Sequence, residues 1–209
     1  MATEMEGNPR LVNLPGDRRH CSCCLRFLKL RPIHRKVAIA LALPLILSAI
    51  TGITYRAGRS WFGMSSNTAG DILSIHSWEW LGKAGSLVAI WLVGCGLVFL
   101  CVSAGQMLWE SRRRMLQSPQ KIRLGHRILG AILLLPLVAS AITGIAYRTG
   151  EVCDLPEEML DLLMSIHQGG WLGRNIKPYY SLVLGLGLLT MTASGARLFF
   201  RKNKSLPHK

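Results

Sequence analysis

Residues 34–58 read HRKVAIALALPLILSAITGITYRAG, and residues 126–150 read HRILGAILLLPLVASAITGIAYRTG. The two stretches align without a gap and agree at 15 of 25 positions, including His34/His126, Arg35/Arg127, Pro44/Pro136, Gly52/Gly144 and Tyr55/Tyr147. The segment SAITGI recurs unchanged at residues 48–53 and 140–145. Inside each copy lies a run with no charged side chain, 19 residues at 37–55 and 20 at 128–147. A helix needs about 20 apolar residues to cross roughly 30 Å of hydrocarbon. Within that layer the backbone must satisfy its own polar groups, which a helix does.

Outward from these copies the duplication continues. Ser74-Ile75-His76 matches Ser165-Ile166-His167, and Trp80-Leu81-Gly82 matches Trp171-Leu172-Gly173. Beyond each lies a further uncharged run, 26 residues at 84–109 and 19 at 178–196. The pattern predicts an all-α protein, a four-transmembrane-helix bundle made of two tandem parallel helical-hairpin repeats. Its parts are a basic N-terminal segment 1–33, a first hairpin 34–109, a basic linker 110–125, a second hairpin 126–201 and a basic tail 202–209. Two crossings per repeat give both copies one orientation, so their pseudo-two-fold axis runs along the membrane normal. Equivalent residues then share a depth and face each other across that axis. Composition agrees: half the residues are hydrophobic and 17% are charged, below the roughly 25% of soluble domains.

The net charge of +14 is unevenly spread. Segments 1–36, 110–127 and 197–209 carry 8, 6 and 5 of the 25 Lys/Arg, whereas 56–83 and 148–177 carry 3 each. The positive-inside rule places both termini and the middle linker on the cytoplasmic side. The basic excess sets topology and meets anionic lipid. No nucleic-acid reading module is visible, so nucleic acid is not an expected partner. The expected location is a bacterial inner membrane or a related energy-transducing membrane. Residues 1–25 lack the apolar stretch of a secretory signal, and Glu4, Glu6 and Asp17 sit where transit peptides avoid acids. Cys21, Cys23 and Cys24 read first as reduced surface thiols; metal binding and palmitoylation are their other uses. Cys95 and Cys101 read as packing residues, and Cys153 stands alone on the outer side. Trp61, Trp78, Trp80 and Trp171 read as an interfacial aromatic belt.

Six histidines are present, and four form repeat-related pairs. His34 and His126 fall at the inner ends of spans one and three. His76 and His167 fall on the outer side, near the starts of spans two and four. As bland residues they would anchor helix ends. As ligands, imidazoles on facing helices can occupy both axial positions of one haem iron. The sharper reading has His34 with His126 ligating an inner haem and His76 with His167 ligating an outer one. No C-x-x-C-H occurs, so these would be two haem b groups without covalent attachment. Arg35 and Arg127 flank the inner pair; Arg56, Arg148, Lys83 and Arg174 lie near the outer one as propionate partners. Pairing within a repeat is disfavoured, because residues 34 to 55 alone span about 30 Å of helix. Zinc prefers four ligands where each pair offers two. A proton relay lacks acidic residues in mid-span. Ser48, Thr51 and Gly52, with Ser140, Thr143 and Gly144, read as small packing residues that can also make room for a flat cofactor.

His34-Arg35 leading into a span that ends in Thr51-Gly52 resembles the PepSY-associated transmembrane helix family. So does His76 followed by Trp80-Leu81-Gly82-Lys83-Ala84-Gly85, and so does the Ser194-Gly195, Phe199-Phe200-Arg201 ending. The resemblance covers residues 34–201 and implies haem b held by His34, His76, His126 and His167. It also implies electrons passed across the membrane, often to iron, as in ferric-siderophore reductases and iron-uptake proteins. Outer loops of about 30 residues depart from that family, being too short for its soluble PepSY domain. The resulting expectation is a membrane dihaem b-type cytochrome, ferric-reductase-like. With no dinucleotide fingerprint in the chain, a quinol or a reductase would supply its electrons. The alternative is a structural or assembly subunit of a larger membrane complex with no redox role of its own.

Overall fold

The computed structural model describes residues 30–111 and 121–203. Among them the regular elements are all helical: α1 (Leu30–Ala40), α2 (Ala42–Trp61), α3 (Ser66–His76), α4 (Gly82–Ser111), α5 (Lys121–Val152), α6 (Glu157–His167) and α7 (Lys177–Asn203). Short 3-10 turns at Glu79–Leu81 and Gly170–Leu172 precede α4 and α7. Three stretches are long and apolar enough to cross a membrane: Glu79–Glu110, Lys121–Val152 and Lys177–Arg201. The pair α1 and α2 passes the same test only when joined, and the two are bent by 56°. The count is therefore three, or four if the bent pair is one span. His20, His208, Cys21, Cys23, Cys24 and most of the basic inner segments lie outside the described residues.

Pro44 accounts for the bend. It has no N–H to donate, and its ring crowds the carbonyl four residues back. The helix gives way at Leu41, whose N–H still reaches the Val37 oxygen (2.9 Å) while its own oxygen accepts from Leu45 (3.0 Å). Pro136, its repeat equivalent, lies inside an unbroken α5.

Packing joins the two copies. α2 lies against α7 and α4 against α5, while α1 contacts α4 and α5 contacts α7. Glycines admit the knobs. A Cβ on Gly185 would lie 2.5 Å from Ile53 Cγ1, and one on Gly94 2.5 Å from Ile145 Cγ1. Leu41 seats against Gly96 and Leu133 against Gly187 in the same way. Close approach over small residues is the usual means of helix association where lipid offers no hydrophobic contrast. Cys101 belongs to the core with Leu133 and Leu137. Cys95 does not: it is exposed, a correction to its expected packing role. α4 has apolar residues all round, so part of its surface faces outward whatever its rotation. Leu43, Leu92, Val88, Leu135 and Val183 form part of the outward apolar surface.

α3 and α6, eleven residues each, lie between the long helices, and each ends in a histidine. α3 packs on α2 and α6 on α5. Ser65 caps α3 by accepting from the Thr68 N–H (3.2 Å). Glu157 and Glu158 stand in the first turn of α6, where the helix dipole favours them. After each histidine the chain reverses through a left-handed residue, Trp78 (φ 60°) and Gly169 (φ 71°). It then reverses again at Gly82 (φ 76°) and Gly173 (φ 94°) before its long helix.

Candidate functional site

His76 ends α3 and turns its ring onto α2. Its Nδ1 lies 2.9 Å from the Ser48 carbonyl oxygen and 3.1 Å from Thr51 Oγ1. A carbonyl only accepts, so Nδ1 carries the hydrogen and Nε2 the lone pair. Thr51 gives its own hydroxyl proton to the Leu47 carbonyl at 2.7 Å, leaving its oxygen free to accept. Gly52 makes the space, since a Cβ there would lie 3.2 Å from His76 Cε1. His167 repeats this on α5. Nδ1 donates to the Ser140 oxygen at 2.9 Å, and a Cβ on Gly144 would lie 3.1 Å from Cε1. The S-A-I-T-G motif is thus an imidazole cradle as well as a packing surface.

His34 and His126 use a second device. Their Nδ1 atoms lie 2.7 Å from Ser103 Oγ and Ser194 Oγ. Ser103 donates its proton to the Leu100 carbonyl and Ser194 to the Met191 carbonyl, both at 3.1 Å. With each hydroxyl donating to its carbonyl, its oxygen accepts from the histidine Nδ1–H and Nε2 keeps the lone pair. Among the described residues no hydrogen bond engages Nε2 of any of the four. The two serines were hidden in the uncharged runs. Their only signal was that they too recur at matching places, each in the second span of its repeat.

His76 and His167 line one cavity of about 310 Å³. α2 contributes Leu45, Ser48, Ala49, Gly52, Ile53, Tyr55 and Arg56. α5 contributes Leu137, Ser140, Ala141, Gly144, Ile145, Tyr147 and Arg148, the repeat equivalent of each. Gly94 with Gly185 and Leu97 with Leu188 add matched residues from α4 and α7, and Glu79, Glu151 and Gln168 also line it. The cavity therefore meets the two copies alike. Burial pushes His76 down to about 4, the nearby His167 adding to this and the Ser48 carbonyl opposing it. Burial lowers His167 as well, against its Ser140 hydrogen bond. Both imidazoles are neutral near pH 7. His34 and His126 lie outside this cavity, within electrostatic reach of each other.

The cations divide. Arg56 and Arg148 line the cavity. Lys83 and Arg174 do not, because the positive-φ turns at Gly82 and Gly173 lead them onto the exposed starts of the next segments. Arg35 lies 5.1 Å from the Phe199 ring centre, and Arg127 is half-buried one residue past His126. Arg56 Nη2 donates to Gln168 Oε1. Arg148 Nη1 meets Glu151 Oε2 at 2.9 Å and Glu79 Oε1 at 3.3 Å. Its Nε is buried without a partner.

Among the described residues no three His, Cys, Asp or Glu side chains gather as a bare metal ion would require. Two imidazoles that line one cavity with unengaged Nε2 atoms are the donor type for an iron whose other ligands come from a macrocycle. The unpartnered Arg148 Nε is a further vacancy for an acceptor. Two imidazoles and two guanidiniums on one apolar cavity are the donor and cation types that a haem uses. No protein-family model, curated protein or solved structure matches the chain.

Proposed function

We propose that the protein is a four-span membrane dihaem b-type cytochrome, built from two tandem hairpins, that relays electrons across the bilayer. One observation carries the reading. Four repeat-related histidines each commit Nδ1 to a protein acceptor and present an unengaged Nε2. Metal-bound histidines are commonly oriented by such an outer hydrogen bond. In the proposal His76 with His167 hold an outer haem and His34 with His126 an inner one. Arg56 and Arg148 meet propionates outside, and Arg35 and Arg127 inside. Haem iron held between two imidazoles supplies reversible one-electron exchange. The chain's own part is to fix the imidazole tautomers, keep the rings neutral and shield them among apolar side chains. From the sequence resemblance to PepSY-associated helices the proposal takes ferric iron as one acceptor class. A quinol or a partner reductase is the donor class.

The test is a pyridine haemochrome assay on the purified full-length protein and its four single His→Ala variants. The wild type should carry two haem b. His126→Ala and His167→Ala should each retain about half of the wild-type haem. A colourless wild type from haem-replete cells, or full retention in all four variants, removes the cytochrome and leaves the assembly-subunit reading.

A further inference from the structure

The cavity that the two copies line alike is not charged alike. Arg56 and Arg148 are repeat equivalents on its wall, yet their partners differ in kind. Arg148 meets two carboxylates, Glu79 and Glu151. The matching positions in the other copy hold Gly170 and Arg59. Arg56 meets the neutral amide of Gln168 and the Tyr55 ring (5.7 Å to its centre), and no carboxylate among the described residues. The second half adds a cation beside that amide. Ser181 Oγ donates to the backbone oxygens of Gln168 (3.2 Å) and Lys177 (3.3 Å), which holds the Lys177 backbone near that of the residue whose side chain meets Arg56. Lys177 lies within electrostatic reach of Arg56. Arg148 is thus outweighed by two carboxylates, whereas the matching side holds Arg56, Arg59 and Lys177 with no carboxylate paired to them among the described residues.

We infer that the outer mouth of the cavity is an asymmetric docking site for a carboxylate, which seats between Arg56 and Lys177 and not at Arg148. A half-buried guanidinium with a neutral partner keeps its full attraction for an anion, strengthened by the low local dielectric. At Arg148 two carboxylates already outweigh the charge, so its spare Nε–H takes a neutral acceptor. This refines the proposed function, which treats the two arginines as equals. The carboxylate has two sources, a porphyrin propionate or a free small carboxylate anion.

The test uses full-length apoprotein in nanodiscs, titrated with haemin, haemin dimethyl ester and citrate. If the source is a propionate, Arg56→Gln and Lys177→Gln each weaken one haemin site at least about tenfold, the scale of a lost charge-assisted hydrogen bond. Arg148→Gln changes it far less, and the dimethyl ester binds all variants alike. If the source is a free anion, haemin binds all variants alike, and citrate binding is lost in Arg56→Gln and Lys177→Gln. Arg56→Lys, which keeps the charge, retains most of the binding, and helicity by circular dichroism checks the fold. Arg56-dependent citrate binding in a protein that takes no haemin supports the docking site while ending the cytochrome reading. The inference is overturned if Arg148→Gln loses as much as Arg56→Gln, or if neither ligand distinguishes Arg56→Gln from wild type.

Discussion

Each of the four histidines is oriented through Nδ1, and the principal acceptors are of two kinds. On the outer side the acceptor is a helix carbonyl, which no side-chain substitution removes. On the inner side it is a serine hydroxyl, Ser103 or Ser194, and the interaction can be deleted by one atom. Loss of such an outer hydrogen bond typically costs 10–100-fold in metal-site affinity. Ser103→Ala and Ser194→Ala should therefore each lower haem affinity at the inner site by about that factor and leave the outer site unchanged. Haem titration followed by visible spectroscopy reads both sites. A loss at the outer site, or none at either, would sink the tautomer argument. Outside, the vulnerable atom is the missing Cβ. Gly144→Val places carbon atoms where the His167 ring sits (3.1 Å from Cε1) and should displace that imidazole. The expected result is loss of the outer haem with the inner one kept.

Among the elements, the long helices were legible and their joints were not. Uncharged runs and a 25-residue repeat mark the long helices because crossing lipid imposes a length and a polarity on the chain. Pro44 and Pro136 look alike in sequence, yet only the first stands beside a break. Nothing local separates them. α3 and α6 fell within the outer loops, since at eleven residues each, with acidic residues inside, they are too short to cross the membrane. The glycine sockets are contacts between distant residues, which periodicity cannot reveal. They make a direct prediction. Gly94→Leu and Gly185→Leu fill the space of Ile145 and Ile53 and should each destabilise by about 1–3 kcal/mol, the usual cost of overpacking. Gly125→Ala meets nothing within 4 Å in α5. It should be neutral or stabilising by up to about 1 kcal/mol, from helix propensity. Thermal unfolding in detergent ranks the three, and equal effects would refute the socket packing.

For the whole molecule, the repeat in the sequence becomes a cavity lined by matched residues from both copies. The ligand candidates were visible as duplicated histidines. The charge imbalance at the cavity mouth was not, because Gln168, Glu79, Glu151 and Lys177 depart from the repeat and so fell outside the comparison that found the histidines. The remaining large-scale question is whether α1 and α2, bent by 56°, make one crossing or turn back. Charge argues for crossing. Segments 1–36, 110–127 and 197–209, which include the ends of the long helices, hold 19 of the 25 Lys/Arg, which the positive-inside rule collects on one face. That requires an even number of crossings. Cysteines provide the readout. With four crossings Cys153, exposed after α5, is the single thiol accessible from outside, and Cys21, Cys23 and Cys24 face the cytoplasm. A membrane-impermeant maleimide applied to intact cells should then label the wild type once and Cys153→Ser not at all. With three crossings the N-terminal segment and the tail would lie on opposite faces. Either the Cys21–Cys24 cluster would then label from outside and keep Cys153→Ser reactive, or the whole orientation would invert and Cys153 would label only after the membrane is opened.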